Sequence, residues 1–166
     1  MCCEPHTGPC VRRSEVGNGM SVTEDESHFT LWCIMSFPLI MGHDVRNQSA
    51  DTLRILTNKE LLAVSADPMG RAARLLGGTS QLTAPTQVYL RQLADGDYVA
   101  TLFNRGGAPA SIALPWAAMW MPQVQPMAVR DLWKHEELGN YTSNFTATVQ
   151  PHGVVAVRLR QLPYHG

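Results

Sequence analysis

Phe29-Thr30-Leu31-Trp32-Cys33-Ile34-Met35-Ser36-Phe37-Pro38-Leu39-Ile40-Met41-Gly42-His43-Asp44 is the stretch whose reading decides the fold. Phe29, Trp32 and Met35 recur at helical spacing, and Leu31 and Ile34 widen the stripe. Pro38 has no amide hydrogen with which to continue a helix, and it pushes Phe37 toward extended backbone. Leu39, Ile40 and Met41 are apolar at consecutive positions. Such a run suits a short strand covered on both faces, as in parallel sheets. Gly42-His43-Asp44 ends it.

Upstream of this stretch, Thr23-Glu24-Asp25-Glu26 reads as a capping box, Thr23 supplying the hydroxyl and Glu26 the carboxylate. Downstream, Ser49 is placed to cap a helix carrying Leu53 and Leu56. Asn58 is placed to cap another carrying Leu61, Leu62 and Val64. Asp67-Pro68-Met69-Gly70 stops the pattern. The spacing therefore predicts helices near 22–36, 50–57 and 58–65, with one strand near 38–43. That order is one piece of an α/β architecture.

After Pro85 the period becomes two. Val88, Leu90 and Gln92 alternate with Tyr89, Arg91 and Leu93. Asp95-Gly96 is a hairpin turn, and Tyr98–Asn104 returns rich in β-formers. Ser111–Leu114 and Met127–Trp133 read as strands. Phe145, Ala147 and Val149 share a face, Pro151-His152-Gly153 turns, and Val155, Val157 and Leu159 come back. Short strands at regular spacing predict an antiparallel β-sandwich over about 86–162. The fold class expected for the whole chain is α+β.

Several short motifs in this order resemble family 27 of the glycoside hydrolases, the α-galactosidases. They are His28-Phe29-Thr30-Leu31-Trp32, Pro38-Leu39-Ile40-Met41-Gly42-His43-Asp44-Val45-Arg46, Leu56-Thr57-Asn58-Lys59-Glu60 and Asp67-Pro68-Met69-Gly70. In the second half Leu102-Phe103-Asn104-Arg105, Val129-Arg130-Asp131-Leu132-Trp133-Lys134-His135 and Pro151-His152-Gly153-Val154-Val155 resemble the family's C-terminal all-β domain. The resemblance implies a remnant of a (β/α)8 barrel, its last βα unit, followed by that domain. It divides the chain into a non-family leader at 1–14, the end of the barrel at 15–78 and the β-domain at 79–166.

The resemblance begins at Glu15-Val16-Gly17-Asn18-Gly19-Met20, which in the family ends the seventh barrel strand. There it follows Trp-Asn-Asp-Pro-Asp-Met-Leu. Here Gly8–Ser14 precede it, and Arg12 stands where the family's second, sugar-contacting Asp would be. The implied activity is hydrolysis of terminal α-D-galactosyl residues, with α-galactoside sugars as partners. Nucleophile and acid/base both fall, by resemblance, on barrel strands upstream of Glu15. No catalytic residue is therefore expected in this chain, and residues 1–166 alone are expected to be inactive. The other class of function consistent with the sequence is a non-catalytic carbohydrate-binding or interaction module.

Candidate site residues are few. Asp44 stands at the C-terminal end of a barrel strand, where barrel active sites form, and is the substrate-binding candidate. The plainer reading is a loop brace with Arg46. Glu24, Asp25 and Glu26 are expected in a solvated first turn, Asp95 and Asp97 in a hairpin, Glu136 and Glu137 in a loop. Trp116, Trp120 and Trp133 either stack on sugar or close a core. Asn47, Asn140 and Asn144 head glycosylation sequons, relevant only on a secretory route. Cys2, Cys3 and Cys10 match no zinc spacing, and neither metal nor cofactor is implied. Thirteen basic and fourteen acidic residues nearly cancel. Neither sign forms a block, so nucleic acid and anionic membranes are not expected partners. Residues 1–13 lack the apolar run of a signal peptide, although the family is usually secreted, lysosomal or vacuolar. Because most of a barrel is missing, the stripe of Phe29, Trp32 and Met35 is expected to lack cover.

Overall fold

A computed structural model describes residues 13–77, 81–120 and 125–163. Three helices come first: α1 (Val22–Ile34), α2 (Ala50–Leu56) and α3 (Lys59–Ser65). Eight strands follow: β1 (Arg74–Leu75), β2 (Thr86–Gln92), β3 (Tyr98–Asn104), β4 (Ala110–Pro115), β5 (Met127–Asp131), β6 (Glu136–Tyr141), β7 (Asn144–Val149) and β8 (Val154–Gln161). A 3-10 turn, Trp116–Met119, follows β4. The helices-then-sheets order is the α+β arrangement read from the sequence. The leader and its three cysteines lie outside the described residues, except for Arg13 and Ser14. The expected boundary at 78–79 lies outside them too.

The capping chemistry explains the helices. Ser49 Oγ accepts the amide of Thr52, and Asn58 Oδ1 accepts those of Glu60 and Leu61, as the sequence indicates. The capping box of α1 is a correction. It is Ser21 with Glu24, two residues before the expected pair. Both pairs fit the motif, but Glu26 is drawn away to Arg54 at 2.7 Å. The expected strand near 38–43 is reduced to one parallel bridge, Ser14 to Met41. Ser14 N–H donates to Ile40 O, and Gly42 N–H donates to Ser14 O. A strand is defined by its neighbours, and among the described residues only Ser14 is available. Gly42 permits the approach: a Cβ there would lie 2.7 Å from Ser14 O.

The strands form a six-stranded sheet, in order β1-β2-β3-β8-β5-β6, and a two-stranded sheet, β4-β7; all pairs are antiparallel. Strand β6 was not legible in the sequence, because Glu136-Glu137-Leu138-Gly139-Asn140-Tyr141 is a polar edge with little apolar alternation. Strand β5 stops at Asp131 rather than Trp133. The Asp131 carboxylate accepts the amides of Trp133 and Lys134 and turns the chain.

Alternation along the large sheet feeds two cores. Leu90, Ala100, Leu102, Val157 and Leu159 point toward β4-β7, where they pack with Leu114, Trp116, Met127 and Phe145. Val99 and Ala156 point the other way and, with Leu132, meet Phe29, Cys33, Ile34, Ile55 and Leu61 of the helices. The helical stripe is thus covered after all at its centre. Phe29 is 1% exposed, whereas Trp32 and Met35 are half-buried. The β-domain, not a barrel, supplies the cover. Burial also pushes the Cys33 thiol up to about 12, so it packs as an inert apolar group.

Polar contacts lock the two units together. Arg91 is buried; its guanidinium donates to Cys33 O at 3.0 Å and reaches Asp67 at 3.9 Å. It places a cation at the end of α1, whose last turn has no basic residue of its own. Trp133 donates to Thr30 Oγ1, packs beside Phe29 and lies under the Arg54 guanidinium at 5.8 Å. Asn58 donates to Leu132 O and Ser27 to His152 O. Glu60 on α3 pairs with Arg130 at 2.7 Å and with His135 at 2.8 Å.

The Arg130 guanidinium holds the Glu60 carboxyl below its usual range. A depressed carboxylate contributes stability above its unfolded pKa and loses it as pH falls through the folded one. Glu60→Gln is therefore expected to lower the thermal midpoint at neutral pH. The difference from the parent chain should shrink below about pH 4, where the unfolded carboxylate also takes up its proton. Midpoints measured from pH 3 to 7 check it; a constant difference would mean the pair contributes nothing.

Candidate functional site

A cavity of about 410 Å³ opens where the turn at 17–20, the first turn of α1 and the loop at 43–52 converge. Its side chains include Asn18, Asp25, His43, Asp44, Gln48 and Thr52. The local sequence builds it from tight backbone. Gly17 adopts φ of +83°, and an added Cβ would press against Thr52 at 3.0 Å. This turn lets the Gly17 amide donate to both Asp25 carboxylate oxygens, at 3.3 and 3.2 Å.

Asp25 corrects the expectation of a solvated first turn. It is buried, and burial raises its pKa above the ordinary carboxylate value. His28 sits nearby, with its pKa lowered by burial. Its Nε2 accepts the Glu15 amide at 3.1 Å, which requires that nitrogen to be unprotonated. His43 Nε2 lies 3.0 Å from the Gln48 side-chain amide, while its buried Nδ1 has no hydrogen-bond partner. The cavity thus holds a carboxyl whose pKa burial raises, with His43 on the same wall. Residues 25, 28 and 43 carry no spacing signal; only the fold brings them near one another.

Asp44 lies on the cavity wall, exposed, and braces its own loop. Its carboxylate accepts the Arg46 amide at 3.0 Å and the Arg46 guanidinium at 2.9 and 2.7 Å. Those bonds hold its pKa below the usual carboxylate range. The other candidates are spread over the molecule. Asn47 is exposed on the rim, and Asn140 and Asn144 are exposed at the β6–β7 connection. Trp116 is completely buried, Trp133 serves the interface between the units, and Trp120 is 86% exposed. Asp95 and Asp97 both pair with Arg158, and Glu137, on strand β6 rather than in a loop, pairs with Arg130. Among the described residues no cluster of three His, Cys, Asp or Glu could hold a metal ion. No helix among them is long and apolar enough to cross a membrane.

Residues 83–159 match the family described as the alpha galactosidase C-terminal beta sandwich domain, and residues 14–67 match alpha galactosidase A. The chain belongs to the α-galactosidases of glycoside hydrolase family 27, and corresponds to their C-terminal part. Alpha-galactosidase 3 of Arabidopsis thaliana is 39% identical over 140 residues, which are 83% of this chain and 32% of that enzyme. The crystal structure of alpha-galactosidase I from Mortierella vinacea superposes with a TM-score of 0.83 at 32% identity, over 89% of this chain and 38% of that one. The α-galactosidase of Saccharomyces cerevisiae, solved with raffinose, shares the fold at 19% identity and a TM-score of 0.80, over 90% of this chain and 46% of that one. The chain thus spans about a third to a half of the length of these relatives. In this α-galactosidase family setting, the turn at 17–20 and the loop at 43–52 belong to the part matched to alpha galactosidase A up to residue 67.

Proposed function

We propose that this chain serves the hydrolysis of terminal α-D-galactosyl residues as the C-terminal portion of a family 27 enzyme, and that residues 1–166 do not perform it alone. In this reading residues 15–78 supply the end of the barrel, with Asp44 and the cavity beside it on the substrate side. Residues 79–166 supply the β-domain that holds this end in place, and the leader, residues 1–14, meets the barrel end at Ser14, which pairs with Met41. Galactoside sugars such as the raffinose bound by the yeast relative are the substrate class.

The supporting observation is where the carboxylates go. Retaining glycosidases need two carboxyl groups roughly 5 Å apart, one as nucleophile and one as acid/base. Asp25 is tied to the Gly17 amide, Asp44 to Arg46, Glu60 to Arg130, and Asp95 and Asp97 to Arg158. The Arg46 and Arg130 guanidiniums hold the Asp44 and Glu60 carboxyls below the usual carboxylate range, the reverse of what a proton donor needs. Asp25 is the exception with a raised pKa, and it has no second free carboxylate among those just named.

The test is direct. Purified chain 1–166, offered a chromogenic α-galactoside, is expected to release no more product than a heat-denatured control. Turnover that disappears in Asp44→Asn or Asp25→Asn would show that a working pair exists in this part of the fold.

A further inference from the structure

A second cavity, about 330 Å³, lies between the sheet edge, where β1 pairs with β2, and the 3-10 turn. Arg71, Arg74, Gln92, Tyr98, Met119 and Trp120 line it. Strand pairing sets Arg74 opposite Leu90 and Gln92 opposite Tyr98, so these side chains share one face of the sheet. Met119 is buried at its base, and Trp120 is 86% exposed. The Trp120 backbone is left-handed, with φ of 62°, and its amide donates to Ala117 O at 3.2 Å. A bulky side chain in that region is uncommon and needs a reason. Here the backbone presents a large, exposed aromatic side chain at the cavity mouth.

The charges are equally specific. Arg46, Arg54, Arg130, Arg158 and Arg160 each pair with a carboxylate. Arg71 and Arg74 are exposed and have no carboxylate partner among the described residues. Among the described residues that line the cavity none is acidic. Arg91 borders it too, but its guanidinium is committed to the end of α1.

An aromatic plate beside two unspent guanidiniums suits a ring with an apolar face and an anionic substituent. The C–H face of a pyranose stacks on indole, and a planar fork binds a carboxylate through two parallel hydrogen bonds. We propose that this cavity at the edge of the large sheet is a saccharide subsite for a pyranose bearing a carboxylate, a hexuronate, with its ring on Trp120 and its carboxylate on Arg71 and Arg74. Tyr98 and Gln92 supply hydrogen bonds to ring hydroxyls. The inference does not depend on turnover by this chain.

Calorimetric titration of the full chain with trigalacturonate, against neutral galactotriose, tests it. The acidic trisaccharide is expected to bind at least about tenfold more tightly, with a preference that fades as salt rises. Trp120→Ala, an exposed position that the fold tolerates, is expected to weaken binding about tenfold or more. The Arg71→Gln/Arg74→Gln chain is expected to bind both sugars equally. Equal affinity of the parent chain for the two sugars, binding unaffected by Trp120→Ala, or no binding of trigalacturonate would each overturn the proposal.

Discussion

Phe29→Ala is expected to loosen the helical unit from the β-domain while leaving the sandwich folded. Phe29 is 1% exposed and lies in the core that joins α1 to the large sheet. Truncating a buried Phe costs about 3–5 kcal/mol, from lost transfer energy and from the cavity left behind. Collapse around that cavity is restricted. Trp133 cannot move in without releasing Thr30 Oγ1, to which it donates at 3.0 Å. Hydrogen exchange provides the readout. In the parent chain the amides of 29–34 should be strongly protected and those of 37–45 weakly, since the latter carry one bridge and a few turn bonds. In Phe29→Ala protection of 29–34 should fall by about two orders of magnitude or more, matching that energy. Strands β3 and β8 should keep theirs through the second core. Loss of protection everywhere would show that the units unfold only together.

The second large effect is at Arg91, where two substitutions should part company. Arg91→Ala removes a completely buried side chain and is expected to cost about 3 kcal/mol or more through the void. Arg91→Met fills most of that space and is expected to cost about 1 kcal/mol or less. The hydrogen-bond inventory decides the difference. Cys33 O also accepts from Ser36, and Ile34 O from Ala73. Asp67 keeps the amides of Met69 and Ala94. No partner is stranded by the loss of the guanidinium, whose own Nε and Nη2 lack hydrogen bonds. Burial lowers the Arg91 pKa, so the charge is itself strained by desolvation. Denaturant midpoints of the two variants check this; equal destabilisation would assign the effect to the charge.

What the sequence made legible was periodic. Helical spacing of Phe29, Trp32 and Met35, caps at Ser49 and Asn58, alternation in β2 and β8, and the β-formers of β3 are local signals. They located the elements within a few residues. Strand β6 escaped because it is a sheet edge where only Leu138 and Tyr141 pack on the core, too few for an apolar alternation. The cavity beside Asp44 was half legible. Its loop was found because a strand end carries Gly42-His43-Asp44, but the burial of Asp25 depends on a Gly17 amide eight residues away, across a turn. Arg91 could not be read as a helix-end partner. In a strand it looks like an ordinary solvent-facing position, and only the helical layer behind the sheet buries it.

The double duty of the large sheet has a consequence for how the chain finds its pairing. In β8, Val157 and Leu159 serve one layer while Ala156 serves the opposite one. A slip of one residue against β3 would exchange these sets. Arg158, now tied to Asp95 and Asp97, would be pushed into the layer beneath β4-β7. A sheet with one wet face can park a misplaced apolar side chain in water at modest loss. Here both faces read the register, so a misaligned β8 is rejected from above and below, and the strand acts as its own proofreader.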